Sequence, residues 1–327
     1  MSAGVTAWAL AGLGLATLSG AAVAQPSPAI PGVDTLAVVG GAHETNTLLV
    51  YEQPEGLQLV GDATVAYADN AGGRLAVVNL LTGAGWRIDD QGGSGPGEFG
   101  GSMPFFGEAD GTIHAVAQDG RTASWSLDGT RMGSERFRSS PWEGPGAVFP
   151  VGVLQDGTFV VHRTGRPGSG PTVQQELRAL PVDGGPCWTV DGLPVLTDTG
   201  GELRADTAGA LLGDARGGTI AVGFATSGVI RVYTRDGSVH AETRVPHELW
   251  RVVVDADERI WVSVLGDEPV GRRAVRTLVF DRDLTTSARV DLRNVVDARG
   301  RQAVTMDFDD YGAVRIHLLQ LRTTPLR

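Results

Sequence analysis

Six times along the chain a polar or glycine turn leads into an alternating apolar segment. The copies read DATVAY (62–67), DGTIHAV (110–116), DGTFVV (156–161), GGTIAV (217–222), DERIWV (257–262) and YGAVRI (311–316). A second turn follows five of them: TG at 82–83, DG at 128–129, DG at 183–184, DG at 236–237 and RD at 282–283. A supersecondary unit returning roughly every 50 residues cannot bury its apolar faces alone, so it must stack on its neighbours in a radial or solenoid array. The 47 glycines and 17 prolines of the 327 residues suit many tight turns between short strands.

Each interval has room for four strands. The first unit reads GLQLVG, TVAYAD, RLAVVNL and GWRIDD, and the second PFFGEA, TIHAVA, TASWSL and a weak fourth near MGSERF. The third reads VFPVGVL, TFVVHR, ELRALPV and CWTVDG, with GRPGSGP (165–171) inserted. The fourth and fifth are complete, and 201–212 ahead of the fourth suggests one helical turn. The sixth unit offers only AVTMDF and VRIHLLQL, whereas TLAVVG (35–40) and TLLVYE (47–52) are spare at the other end. The expectation is an all-β, six-bladed β-propeller over 35–327, closed by N-terminal strands that complete the last blade and so protect its edges.

Residues 1–24 form an apolar stretch ending in Ala22-Val23-Ala24, which is expected to be a cleaved signal peptide. Residues 25–34 read as a proline-rich linker. The segment lacks Arg and Lys, the one departure from the signal pattern. The expected location is periplasmic or extracellular, with no stable membrane anchor after cleavage and a monomeric state.

Charge and composition exclude several chemistries. A formal net charge of −11 argues against nucleic acid and against anionic membrane surfaces. All 27 cationic residues are arginine, which excludes lysine Schiff bases and a P-loop lysine. The single cysteine, Cys187, permits no intramolecular disulfide and no cysteine metal cluster. The six histidines (His43, His114, His162, His240, His247 and His317) form no H-x-x-x-H pair. No G-x-S-x-G elbow and no dinucleotide fingerprint occurs. The carboxylates of DADE (255–258) and DFDD (307–310) fall at turns, where Asp and Gly are expected for backbone reasons.

The loop 91–99, QGGSGPGEF, with Gly93, Gly95, Pro96, Gly97, Glu98 and Phe99, together with the repeated D-G phrases, resembles bacterial six-bladed β-propeller proteins of the NHL-repeat and TolB-like type. YADNAGGRLAVVNLLTG (67–83), with Asp69, Asn70 and Arg74, is similar to one NHL-type unit. The resemblance implies architecture, and leaves activity open. The leading expectation is a binding module for a protein or small-molecule ligand, without cofactor. The alternative is a lactonase- or lyase-like enzyme with a divalent metal in the central channel, as the resemblance allows. Residues ahead of each first strand are expected at the channel mouth: Phe99, Trp142, Arg204, His247 and Arg301. Aromatics mixed with arginine suit a ligand surface. No catalytic residue and no metal ligand is assigned.

Overall fold

The computed structural model describes residues 33–46, 48–49, 54–69, 74–89, 105–116, 120–136, 147–165, 172–181, 188–190, 193, 196–199, 202–205, 211–265 and 275–322. Among these, every regular element is a β-strand. The strands run as successive antiparallel meanders, in which the first strand of each meander leads through a tight turn into the second.

β1 (Val33–Gly40) stands apart from the meander that follows it. That meander holds β2 (Pro54–Gly61), β3 (Thr64–Asp69), β4 (Arg74–Asn79) and β5 (Gly85–Asp89). The next holds β6 (Phe105–Ala109), β7 (Thr112–Val116), β8 (Arg121–Ser126) and β9 (Arg131–Arg136). The third has β10 (Ala147–Val153), β11 (Phe159–Gly165) and β12 (Thr172–Leu180), with the short β13 (Thr189–Val190) and the hairpin β14 (Leu196–Thr199)–β15 (Glu202–Ala205) both on β12. The fourth has β16 (Leu211–Arg216), β17 (Thr219–Phe224), β18 (Val229–Thr234) and β19 (Val239–Arg244). The fifth has β20 (Leu249–Val254), β21 (Ile260–Leu265), β22 (Val275–Phe280) and β23 (Ser287–Val290). The last combines β24 (Val295–Arg299), β25 (Gln302–Phe308) and β26 (Val314–Leu321) with β1, which pairs antiparallel with β26.

Three expectations are corrected. The last sheet lacks one strand and not two, because VVDAR at 295–299 supplies its first strand. Among the described residues β1 fills the gap; the described part of TLLVYE, residues 48–49, is a turn. Where 201–212 is described, at Glu202–Ala205 and from Leu211 onward, strand stands in place of the expected helical turn. The cleavage site, the 91–99 loop, Cys187 and most of the 165–171 insertion lie outside the described residues.

The second strands show why the apolar runs are continuous and not alternating. All six residues of β17 are buried, as are the last five of β3 and the first five of β21. Each sheet is covered on both faces, so both sets of alternating side chains must be apolar. Apolar clusters fill the successive gaps: Leu75 and Val77 with Phe106 and Ile113; Ala109 and Val116 with Phe159; Val160 and Leu177 with Ile220 and Tyr233. The series continues with Ile230 and Val232 against Val252 and Val262, then Trp261 and Val279 against Ala303 and Leu319. A further cluster sets Leu59 and Tyr67 of the first meander against Val304, Ile316 and Leu318 of the last sheet.

The turns explain the recurring phrase. Asp156 Oδ1 accepts from Thr158 N at 3.0 Å, Asp255 Oδ1 from Asp257 N and Arg259 N at 2.9 Å each, and Asp309 Oδ1 from Tyr311 N at 2.9 Å. The acid clusters at 255–258 and 307–310 thus supply turn carboxylates that replace missing backbone partners. Gly217 holds φ 60°, and a Cβ there would lie 2.6 Å from Glu258 Oε1. Gly152 serves close approach: a Cβ would sit 2.1 Å from Ala215 O, where β10 and β16 form a parallel bridge.

Candidate functional site: a charged knot on the first strands

β16 and β24 both end in Asp-Ala-Arg followed by glycine, at 214–217 and 297–300. In each, a two-residue turn leads to the second strand, so the Asp and Arg stand at matching positions. β6 adds Glu108 one residue before its own turn. These are charges on strands that otherwise pack apolar side chains.

Arg216 gathers them. Its Nη1 donates to Asp297 Oδ2 at 2.9 Å and Oδ1 at 3.2 Å. Its Nη2 donates to Glu108 Oε2 at 2.9 Å and to the Leu59 carbonyl at 2.6 Å. One guanidinium on β16 therefore reaches β2, β6 and β24. Its side chain is 5% exposed, Glu108 7% and Asp297 2%. The carboxylates also bind backbone amides. Asp297 accepts from Leu59 N and Ala298 N, Asp214 from Val254 N at 2.7 Å and Ala215 N at 2.9 Å, and Glu108 Oε1 from Gly111 N at 2.8 Å. Arg299 Nη1 stands 3.8 Å from Glu108 Oε2.

Burial drives the electrostatics. It pushes the Asp297 carboxyl up to about 7, with the Arg216 charge opposing and the Asp214 charge reinforcing. It pushes Asp214 up to about 6, against hydrogen bonds from Val254 and the Arg216 charge. Arg216 is held above its ordinary value, because the Asp297 and Glu108 charges outweigh desolvation. Arg251, half-buried on β20, is held below its ordinary value by desolvation, with Asp214 and Asp297 pulling the other way.

The knot contains carboxylates from three sheets, but Arg216 takes oxygens of Asp297 and Glu108, and backbone amides of Ala215 and Val254 take those of Asp214. Among the described residues, no three His, Cys, Asp or Glu side chains are grouped to hold an ion. Its chemistry is that of an internally neutralised plug. The sequence signal for it is the repeated D-A-R-G.

The expected channel-mouth residues do not assemble here. Phe99 and Trp142 lie outside the described residues. Arg204 is on β15, at the outer end of its sheet's strand order. His247 is half-buried just ahead of β20. Arg301 follows its first strand, in the β24–β25 turn, where Nε donates to the Leu321 carbonyl at 2.9 Å. Ala256 N meets Ala298 O at 3.4 Å, so the C-terminal ends of β20 and β24 are neighbours. His247 and Arg301 thus stand at opposite ends of these strands.

No protein-family model matches the chain, and no curated protein matches it. Solved structures do. A member of the DUF4221 family from Bacteroides vulgatus is 9% identical, over 88% of this chain and 98% of that one, at a TM-score of 0.53. A protein described as exported, from Bacteroides fragilis, is 10% identical, over 90% and 97%, at 0.51. A calcium-binding protein, regucalcin, from Agrobacterium tumefaciens is 13% identical, over 89% and 97%, at 0.46, a value that carries no argument. The chain has a β-propeller-like fold. Identities this low speak to the fold alone.

Proposed function

We propose that the chain is an exported, monomeric six-bladed β-propeller that acts as a binding module. What supports six blades is the order of contacts: β2 touches β6, β6 touches β10, and β16, β20, β24 and β2 follow in turn. Ring closure rests on β1 completing the last sheet. Removing 33–40 would uncover the β26 edge; the expected result is a lower urea midpoint, and an unchanged midpoint overturns the closure.

One observation carries the binding reading: Arg216 lies between the Asp297 and Glu108 carboxylates and bonds to both. A buried guanidinium placed there competes with a cation for the same oxygens. The lactonase-like alternative needs carboxylate, Asn or His groups free to hold a divalent metal. Metal analysis of the mature protein, with turnover on simple lactones, decides between them. The expectation is substoichiometric metal and no turnover. Stoichiometric metal with turnover overturns the binding-module reading. Export rests on the N-terminal segment; recovered mature protein should begin at Gln25.

A further inference from the structure

We propose that the turn joining β25 to β26, with the loop after β1 that is tied to it, docks a basic segment of a partner protein, an arginine or lysine side chain lying on the rings of Tyr311, His43 and Phe308. This rests on the binding-module reading and names the class of partner.

Nine large apolar side chains are exposed among the described residues, and four belong to the last sheet: Leu36 and Val38 on β1, Phe308 at the end of β25 and Tyr311 in the turn that follows. Apolar exposure gathered on one sheet marks an interaction surface where scattered residues would not. Tyr311 is 74% exposed and Phe308 58%. The exposed His43, just past β1, meets Tyr311 edge to face, with ring centroids 5.4 Å apart and planes at 80°. Asp309 fixes the backbone under this pair. Its Oδ2 accepts from Ala42 N at 2.8 Å, and its Oδ1 from Tyr311 N at 2.9 Å and Ala313 N at 2.8 Å. Gly41 N donates to the Val314 carbonyl at 2.9 Å, a second tie between the two loops. The backbone that carries both rings is set before a partner arrives, which lowers the ordering cost of binding.

Charge selects the occupant. Asp307, Asp309, Asp310 and Glu44 lie in or beside these two loops, against one arginine, Arg315. Asp307 already holds that guanidinium: Nε donates to Oδ1 and Nη2 to Oδ2, at 2.9 Å each. Asp309 and Asp310 act on the same Arg315, so the surroundings stay net negative. Asp310, exposed beside Tyr311, accepts no hydrogen bond from a described residue. An aromatic face attracts a cation, and a neighbouring carboxylate adds to the attraction. Guanidinium is weakly hydrated and stacks on such faces. A second copy of the chain carries the same net charge of −11 and would set acid against acid.

The probe is a fluorescein-labelled peptide of alternating glycine and arginine, with citrulline in place of arginine as the neutral control. Its anisotropy is followed with the mature protein in low salt. The citrulline peptide should bind about tenfold more weakly or worse. Tyr311→Ala removes an exposed ring and leaves the backbone bonds of Asp309. It should weaken the arginine peptide about threefold, and together with Phe308→Ala about tenfold. Tyr311→Phe keeps a ring and should bind as the unaltered protein does. Asp310→Asn should weaken binding, whereas Asp62→Asn, the same change of charge in the exposed β2–β3 turn, should not. Circular dichroism checks that each variant folds. Wild-type affinity in folded Tyr311→Ala, equal losses in Asp310→Asn and Asp62→Asn, or no binding at millimolar protein overturns the proposal. So does a concentration-dependent dimerisation that Tyr311→Ala removes, which would assign the rings to a second copy. None of these results touches the binding-module reading, which falls only to stoichiometric metal with turnover.

Discussion

Two arginines on neighbouring first strands are held in opposite ways. Arg216 spends its donors on Asp297, Glu108 and the Leu59 carbonyl, and every carboxylate there also binds a backbone amide. Arg251, on β20, is desolvated and donates no hydrogen bond to a described residue, with only the charges of Asp214 and Asp297 acting on it. A satisfied cluster fixes structure. The difference is what makes Arg216 the lock.

The comparison breaks most sharply at Arg216. Arg216→Met leaves Asp297 and Glu108 buried without their counter-charge, and the cost of an orphaned buried ion is about 3–5 kcal/mol. Urea denaturation should show a loss of that size. Adding Glu108→Gln and Asp297→Asn to the same chain should recover at least half, because the stranded charges go too. Arg251→Gln, by contrast, should cost about 1 kcal/mol or less, since no hydrogen bond is lost. If Arg251→Gln matches Arg216→Met, the contrast between the two arginines is wrong.

The pH dependence sharpens the same contrast. Folding raises Asp297 from 3.8 to about 7 and Asp214 from 3.8 to about 6. Between those limits the folded state holds more protons than the unfolded one, so these groups stabilise the fold in acid. Their contribution falls as pH rises through 6 and 7. Exposed turn carboxylates act the other way: hydrogen bonds from Ser126 and Thr130 lower Asp128, and those from Thr234 and Ser238 lower Asp236, so their contribution is lost in strong acid. The melting temperature should therefore peak on the acid side of neutrality and decline from about pH 5 to 8. In Asp297→Asn that decline should flatten; an undiminished slope would place the titration elsewhere.

Architecture was legible in the sequence because it is written as a repeat, while the knot was not. DATVAY, GGTIAV and DERIWV announced β3, β17 and β21, since a strand covered on both faces must be apolar throughout. VVDAR was passed over as a strand because Asp297 and Arg299 interrupt its apolar run. Those two charges are there for the knot, so the strand count and the site were missed for one reason. Arg301 was misplaced for another. Its location depended on knowing where the first strand begins, and it moved to the far end once β24 was found ahead of it. Phe308 and Tyr311 gave no local signal, because an aromatic residue in or beside a strand reads as core until its exposure is known.

The smallest expected effect tests whether distance or burial makes the lock strong. Arg235 Nη2 meets Asp156 Oδ2 at 2.6 Å, closer than Arg216 meets Asp297 at 2.9 Å. It too bridges neighbouring sheets, from the β18–β19 turn to the β10–β11 turn. Yet its side chains are 69% and 37% exposed, so water screens the attraction and solvates either partner left alone. Arg235→Ala should shift the urea-derived stability by about 0.5 kcal/mol or less, and the shift should shrink further at 0.5 M salt because the pair is open to counter-ions. A loss approaching that of Arg216→Met would mean that contact between sheets, and not burial of the charge, holds the sheets together at these turns.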